Sequence, residues 1–424
     1  MQLRPIVSFT LRAALLFLSV PLSAHATNGY FAHGIGIKAL GQAGVGIAWS
    51  QDALAAATNP AGTALVGDRI DLGLTWFAPR RSAEIAGNAF GPDQPFSGNG
   101  DKNFFIPEFG YSTQWSPTIG AGVAVYGNGG MNTRYRNNPY GRFGATGTAG
   151  VNLEQLFVTP SVAWKPHADH SIGIGLNVAY QRFKAEGIGL FGGFSASPGQ
   201  VSNRGNDDTL GVGVRVGWVG QLAPGVSVGA TWASKVNGRF SKYRGLFSDR
   251  GGFDVPENFG VGVAFRPDDR WTVGADVQRI NYRGINSVGN SLASLLQGVT
   301  LGESNGPGFG WRNVTAVKVG ASYKFSSNLE VRAGYSHTQQ PVPSSQTFFN
   351  ILAPGVVQNH FTLGATWALS GGDELSGFLG YAPGKTVRGQ GSIPPGNPPG
   401  GFGGGNAHVR LKEAMVGLAY AWKQ

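Results

Sequence analysis

The chain has 424 residues, a formal net charge of +10, 69 glycines and no cysteine, and only 13% of its residues are charged. So low a charge content excludes a disordered chain and does not suit an ordinary soluble enzyme, while Val, Thr, Tyr, Phe and Trp recurring beside glycine point to an all-β protein. The lack of cysteine excludes disulfides, thiolate metal sites and cysteine catalysis.

The first element is a targeting segment. Arg4 and Arg12 precede an apolar core at 13–22, and Ala24-His25-Ala26 has the form of a cleavage site. Residues 1–26 are therefore read as a signal peptide, with an apolar run too short to span a bilayer. No later stretch suits a membrane helix, so an exported chain of this kind sits in a membrane only as a closed barrel.

Residues 27–66 lack a period-two face and hold Gly34, Gly36, Gly41, Gly44 and Gly46. Within them the Ala-rich stretch 50–65 stops on Asn59-Pro60-Ala61-Gly62. A segment of this size, placed before the first strand at 69–79, is expected to fold into the lumen as a hatch.

From residue 67 to 424 the pattern is that of a transmembrane antiparallel β-barrel. In 171–181, Ile172, Ile174, Leu176, Val178 and Tyr180 share one face, and Ser171, Gly173, Gly175, Asn177 and Gln181 the other. The windows 271–278, 361–369 and 416–422 repeat this scheme of one apolar face and one small or polar face. Short turns at 116–118, 165–170, 222–225, 266–270, 326–328 and 370–373 alternate with long stretches near 79–102, 127–151, 184–207, 237–255, 282–312, 339–357 and 383–409. Six short turns and seven long loops require about fourteen strands, with both chain ends on the short-turn side. Tyr420 and Trp422 suit a terminal barrel strand, although Lys423-Gln424 displace the usual final aromatic.

The long stretches carry the basic residues, among them Arg134, Arg136, Arg142, Arg239, Lys242, Arg244 and Arg250. In an exported protein their expected partners are outer-membrane lipid and lipopolysaccharide rather than nucleic acid, with a solvated loop surface as the alternative. The loops are also greasy. Leu190, Phe191 and Phe194 lie in one, and Phe240, Leu246 and Phe247 in another. They read either as a docking surface for hydrophobic ligand or as loops packed on each other as a lid. Leu292, Leu295, Leu296 and Val299 have helical spacing and predict a short amphipathic helix at the mouth.

Catalytic signals are weak. His167 and His170 share a turn, where solvation is favoured over metal binding, and Ser336 and His337 alternate to opposite faces. The stretch 380–386 echoes a phosphate loop but lacks its first glycine, since position 379 is Leu. Neither enzyme activity, a cofactor nor a metal is expected.

The plug segment, the strand count and the greasy loops together resemble the FadL/TodX family of outer-membrane transporters for long-chain fatty acids and hydrocarbons. The most specific stretch is Asn59-Pro60-Ala61; residues 255–278 and 341–343 are similar as well. The resemblance implies a passive, monomeric channel in which external loops capture ligand, a luminal pocket holds it, and a kink in the third strand releases it sideways. It places that kink at Gly127, Gly129 and Gly130, and a pair of carboxylate-binding cations at Arg182 and Arg312. Strict alternation conflicts with Arg182, which shares the face of Val178 and Tyr180. Fatty acid is the preferred ligand; neutral aromatic or alkane hydrocarbon, a structural or adhesive barrel, and a general porin are the alternatives.

Overall fold

The computed structural model describes residues 28–397 and 401–423; the expected signal peptide lies outside them. Sixteen strands form one sheet: β1 (Arg69–Phe77), β2 (Arg80–Ala86), β3 (Gln94–Ser97), β4 (Phe104–Ser116), β5 (Ile119–Tyr135), β6 (Ala149–His167), β7 (His170–Glu186) and β8 (Asp207–Ala223), followed by β9 (Val226–Ala233), β10 (Asn258–Phe265), β11 (Trp271–Ile280), β12 (Val314–Lys324), β13 (Leu329–Thr338), β14 (Asn359–Ala368), β15 (Glu374–Val387) and β16 (Asn406–Lys423). Fourteen of them, β1 and β4 to β16, make a closed antiparallel barrel, because β1 pairs with both β4 and β16.

The remaining two are a hairpin that continues β1 upward. β16 pairs with β1 over Met415–Lys423 and with β2 over Asn406–Lys412. The break between β1 and β2 falls at Ala78-Pro79, where proline has no N–H to give the ladder.

Period two sorts the side chains as the sequence indicates. On β7, Ile172, Ile174 and Leu176 are exposed on the outer face, while Ser171, Asn177 and Gln181 are buried inside. Trp115, Trp164, Trp271, Trp367 and Trp422 stand exposed near the short-turn ends of their strands, as an interfacial aromatic girdle does. Among the described residues no helix is long and apolar enough to cross a membrane; the strands do the crossing.

The six short turns and seven long connections fall where the alternation puts them. One boundary differs. The stretch from 127 is not loop: after one irregularity β5 keeps pairing with β6 as far as Tyr135↔Ala149, and the loop is only 136–148. Met131, Thr133 and Tyr135 are buried there and Arg134 is exposed, a period that the preceding glycines hide. The expected helix at 291–299 shortens to a single turn, Ala293–Leu296, with Leu292 buried and Leu296 exposed.

Candidate functional site

Residues 28–66 lie inside the barrel and are held there by polar groups of the wall. Three carboxylates at inward strand positions accept main-chain N–H groups of this segment. Glu108 on β4 takes those of Gly36 and Ile37 at 3.3 and 2.9 Å, and Asp276 on β11 takes those of Gly46 and Ile47 at 2.8 and 3.1 Å. Asp71 on β1 takes that of Ala53 at 3.0 Å. The segment has only short helical turns, so most of its amides lack helical partners, and buried amides require some other acceptor.

Asn59 is the pivot of the seat. Its side-chain amide donates to the carbonyls of Ile47 (2.8 Å), Trp218 on β8 (3.0 Å) and Ala230 on β9 (3.3 Å), while its side-chain oxygen accepts from Ala61 N at 3.1 Å. Pro60 then opens a short 3-10 turn, Pro60–Ala64, whose Ala61 carbonyl accepts from Ser171 at 2.8 Å. Inward glycines let the two backbones meet. A Cβ on Gly217 would stand 1.9 Å from Asn59 Oδ1, and one on Gly173 would stand 2.2 Å from the Pro60 carbonyl carbon. At the short-turn end the segment is tied by ion pairs: Lys38 to Glu374, with Glu374 also meeting Arg69 and Lys423, each at 3.1 Å.

The other end of the segment meets the kink. Asn128 on β5 is an extra residue in the β5–β6 ladder, where Gly127 faces Leu156 and Gly129 faces Gln155. Tyr30 O accepts from Gly130 N at 2.9 Å, and Ala32 N donates to Asn128 O at 2.9 Å. A Cβ on Gly129 would lie 1.7 Å from Tyr30 O, so only glycine admits this contact. On its other edge β5 loses its partner: the β4–β5 pairing ends at Phe109↔Val125, although β4 begins at Phe104. The glycines at 127, 129 and 130 therefore flank a bulge where β5 has parted from β4, and the edge it frees bonds to Tyr30 and Ala32 here and to Gly98 and Gly100 at Arg134.

Above the inserted segment the long loops pack as a mass of aromatics. Phe183 packs against Phe240, Tyr243 and Phe247 with ring centres 5.4, 4.9 and 4.7 Å apart, the last two edge to face, and Phe191 meets Tyr140 and Phe349 at 5.1 and 5.2 Å. Phe191, Leu246 and Phe247 line a cavity together with Phe183, Phe309, Phe349 and Leu352. Phe240 is fully buried behind them, Phe194 packs on Phe402 at 5.2 Å, and Leu190 and Phe194 sit at the edge of the cluster. Of the two readings of these loops, the packing is that of the lid. These side chains form the underside of a lid rather than an exposed platform, because aromatic loop residues bury one another when they can.

Beneath the lid, Tyr30 packs against Tyr282, Trp311 and Phe253 at 5.0, 5.7 and 5.9 Å. Tyr282 Oη accepts from the main-chain N–H groups of Tyr30 and Phe31 at 3.2 and 3.3 Å. Two further cavities adjoin this point. One lies between the inserted segment and the wall and is lined by Phe31, Ile47, Arg215, Gln278 and Lys318 among others. The other, a small gap, reaches Gly130 and Met131 where β5 has parted from β4.

The two arginines expected to bind a carboxylate are not brought together. Arg182 lies on the outer face of β7, with Nε 2.8 Å from Asp208 Oδ1 and Nη2 2.8 Å from Tyr180 Oη. The unbroken β7–β8 register keeps it there, since no bulge turns it inward. Arg312 is exposed, precedes β12 and lines none of these cavities. Of the buried strand cations Arg69, Arg81, Arg215, Lys318 and Arg332, those that line these cavities are Arg81, Arg215 and Lys318, on β2, β8 and β12.

Ser336 does meet a histidine, but it is His360 on the next strand, at 3.2 Å from Nδ1, and His33 of the inserted segment stacks on that ring at 5.0 Å. Neither Ser336 nor His360 lines the cavities just described, so the pair braces the segment. Among the described residues no group of side chains could hold a metal ion. The wall carboxylates and luminal cations carry a sequence signal that was passed over: an ionisable residue in the inward register of a membrane strand, as at Asp276 in 271–278.

In fold the chain is similar to a Pseudomonas aeruginosa FadL homologue (16% identity, 93% of this chain and 99% of that one, TM-score 0.72). It is also similar to the Pseudomonas putida toluene transporter TodX (14%, 92% and 99%, TM-score 0.65) and to the Ralstonia pickettii toluene transporter TbuX (17%, 92% and 98%, TM-score 0.62). No curated protein matches it by sequence. The model of the outer membrane protein transport family (OMPP1/FadL/TodX) matches residues 23–382, and the chain belongs to that family of outer-membrane channels for hydrophobic compounds.

Proposed function

We propose that this protein is a passive channel that takes small hydrophobic compounds under its loop lid, passes them around the inserted hatch at 27–66, and releases them sideways between β4 and β5. The observation that carries this reading is the parting of β5 from β4 beyond Phe109↔Val125 at the Asn128 bulge, where only the inserted segment bonds to the freed edge at 128–130. A greasy solute crosses the bilayer interior readily but is stopped by the charged outer sugar layer. A sealed barrel with a side exit serves that solute without leaking polar ones. The lid cavity is lined almost wholly by apolar side chains, as sites for hydrophobic ligands are. With Arg182 on the outer face and Arg312 lining none of these cavities, neutral or weakly polar compounds are favoured over the fatty-acid carboxylate.

One observation supports fatty acid as a second reading. Arg215 and Lys318 line the cavity beside the hatch, and Arg215 Nε has no hydrogen-bond partner. Cells whose only such channel is this protein should take up toluene or xylene faster than cells without it, and long-chain fatty acid no faster. Preferential uptake of fatty acid reverses the choice. No gain with either class removes the transport reading and leaves a structural barrel.

A further inference from the structure

The outer face of β16 changes character near its middle. Trp422, Leu418 and Val416 are exposed and apolar, and the same face continues upward through Ala414 to Lys412 and Arg410, both exposed. Residues 412–422 have the length of a strand that crosses a bilayer, about 9–11 residues. Lys412 therefore stands at the outer edge of the apolar band, where the headgroups of the outer leaflet lie. Directly opposite it on β2 is Arg80, and Arg410 is two residues further along the face. Facing Cβ atoms in an antiparallel pair are about 5 Å apart and alternate residues of a strand about 7 Å, so the three long side chains reach a single anionic group.

Like charges placed directly opposite destabilise a sheet, and no carboxylate relieves these. Among the described residues Arg80 meets only the carbonyls of Pro79 and Lys102, each at 3.3 Å. The neighbouring acids are turned elsewhere: Glu413 is buried on the inner face, Asp101 pairs with Arg134 at 3.3 Å, and Glu84 stands opposite His408 further up β2. The guanidinium of Arg410 lies over Gly384, where a Cβ would meet its Nη2 at 2.9 Å, so no side chain at that position covers it. Other outward cations near the strand tops are answered within the protein: Arg182 by Asp208 at 2.8 Å, Lys184 by Glu186 at 2.6 Å and Lys235 by Asp254 at 2.8 Å.

An outward face at this height meets lipid, and the anions of that layer are phosphates. We infer that the outer face of β2 and β16 is a docking site for lipopolysaccharide, with a lipid A phosphate held by Arg80, Arg410 and Lys412 and acyl chains lying down Val416 and Leu418. Guanidinium groups suit phosphate through paired N–H donors. The inference is independent of what the channel carries.

The test titrates the full chain, stripped of lipid in detergent, with bisphosphorylated, monophosphorylated and dephosphorylated lipid A, and counts bound lipid by native mass spectrometry. Affinity should fall in that order. Arg80→Gln and Lys412→Gln should each weaken binding of bisphosphorylated lipid A about fivefold, the worth of one cation at an anionic lipid surface, while Lys184→Gln leaves it unchanged. Lys412→Gln should also raise the Tm of the lipid-free protein, by relieving Arg80, and lower the Tm of the lipid A-loaded protein. Should a variant fail to fold, the order of the three lipids on the unaltered protein decides alone. Equal binding of phosphorylated and dephosphorylated lipid, or an equal loss from Lys184→Gln, overturns the site.

Discussion

The two halves of the lumen are held by different forces. The short-turn half is fastened by directed polar contacts: Asn59 to the β8 and β9 carbonyls, Glu108 and Asp276 to hatch amides, and Lys38 to Glu374. The long-loop half is held by aromatic packing around Phe183, Phe191 and Phe247. Directed bonds fix one seat and seal it, whereas apolar contacts re-form around a greasy guest at little cost. The difference suits a barrel that excludes ions at one end and admits hydrophobic solutes at the other.

Substitutions that separate the halves break this contrast most sharply. The largest effect is expected at Gly217→Leu, because a side chain there occupies the place of Asn59 Oδ1. The hatch then cannot seat, and ion conductance in planar bilayers should rise from near background to an open-pore level. Asn59→Ala keeps the space but removes donation to three buried carbonyls, at a cost of about 2–4 kcal/mol to the seat. It should give intermittent openings rather than a permanent pore. Phe191→Ala acts on the other half: truncating a buried aromatic costs about 3–5 kcal/mol of local packing. It should lower hydrocarbon uptake severalfold and leave conductance at background. If it opens the pore instead, the two halves are not separate.

The smallest effect is a pH dependence. Burial, and then the charge of nearby Asp71, push the hatch carboxyl of Asp52 up to about 6. Its ordinary value lies below that, so the native state favours the protonated form. The penalty for its charge is absent below about pH 4 and fully present above about pH 6, so this group makes the seat firmer as pH falls through that window. Protection of the hatch from protease should rise between pH 6 and 4, and Asp52→Asn should flatten the rise while Asp71, Arg69 and Lys38 remain. An unchanged slope assigns the dependence to another group.

The barrel was legible because its signal is periodic and repeated. Alternation such as that of 171–181, and turns such as 222–225 and 266–270, need no tertiary knowledge. The hatch was legible as a break in that period, and Asn59-Pro60 as its turn. What stayed hidden depends on pairing. Gly127 looked like the start of a loop because glycines conceal the inward rhythm that Met131, Thr133 and Tyr135 resume. Arg182 was misplaced by resemblance although its own register put it outside. Arg81 and Glu413 are far apart in sequence, and only β2 returning beside β16 brings both to one cavity.

The side exit is tested most directly by deleting Asn128, the one extra residue of the β5–β6 ladder. Deletion restores regular pairing past Gly127 and should draw β5 against β4, closing the edge. Uptake of p-xylene by cells should then fall to the level of cells without the protein, while the barrel still folds and conducts no ions. Uptake at the rate of the unaltered protein would contradict lateral release and point to a path through the hatch.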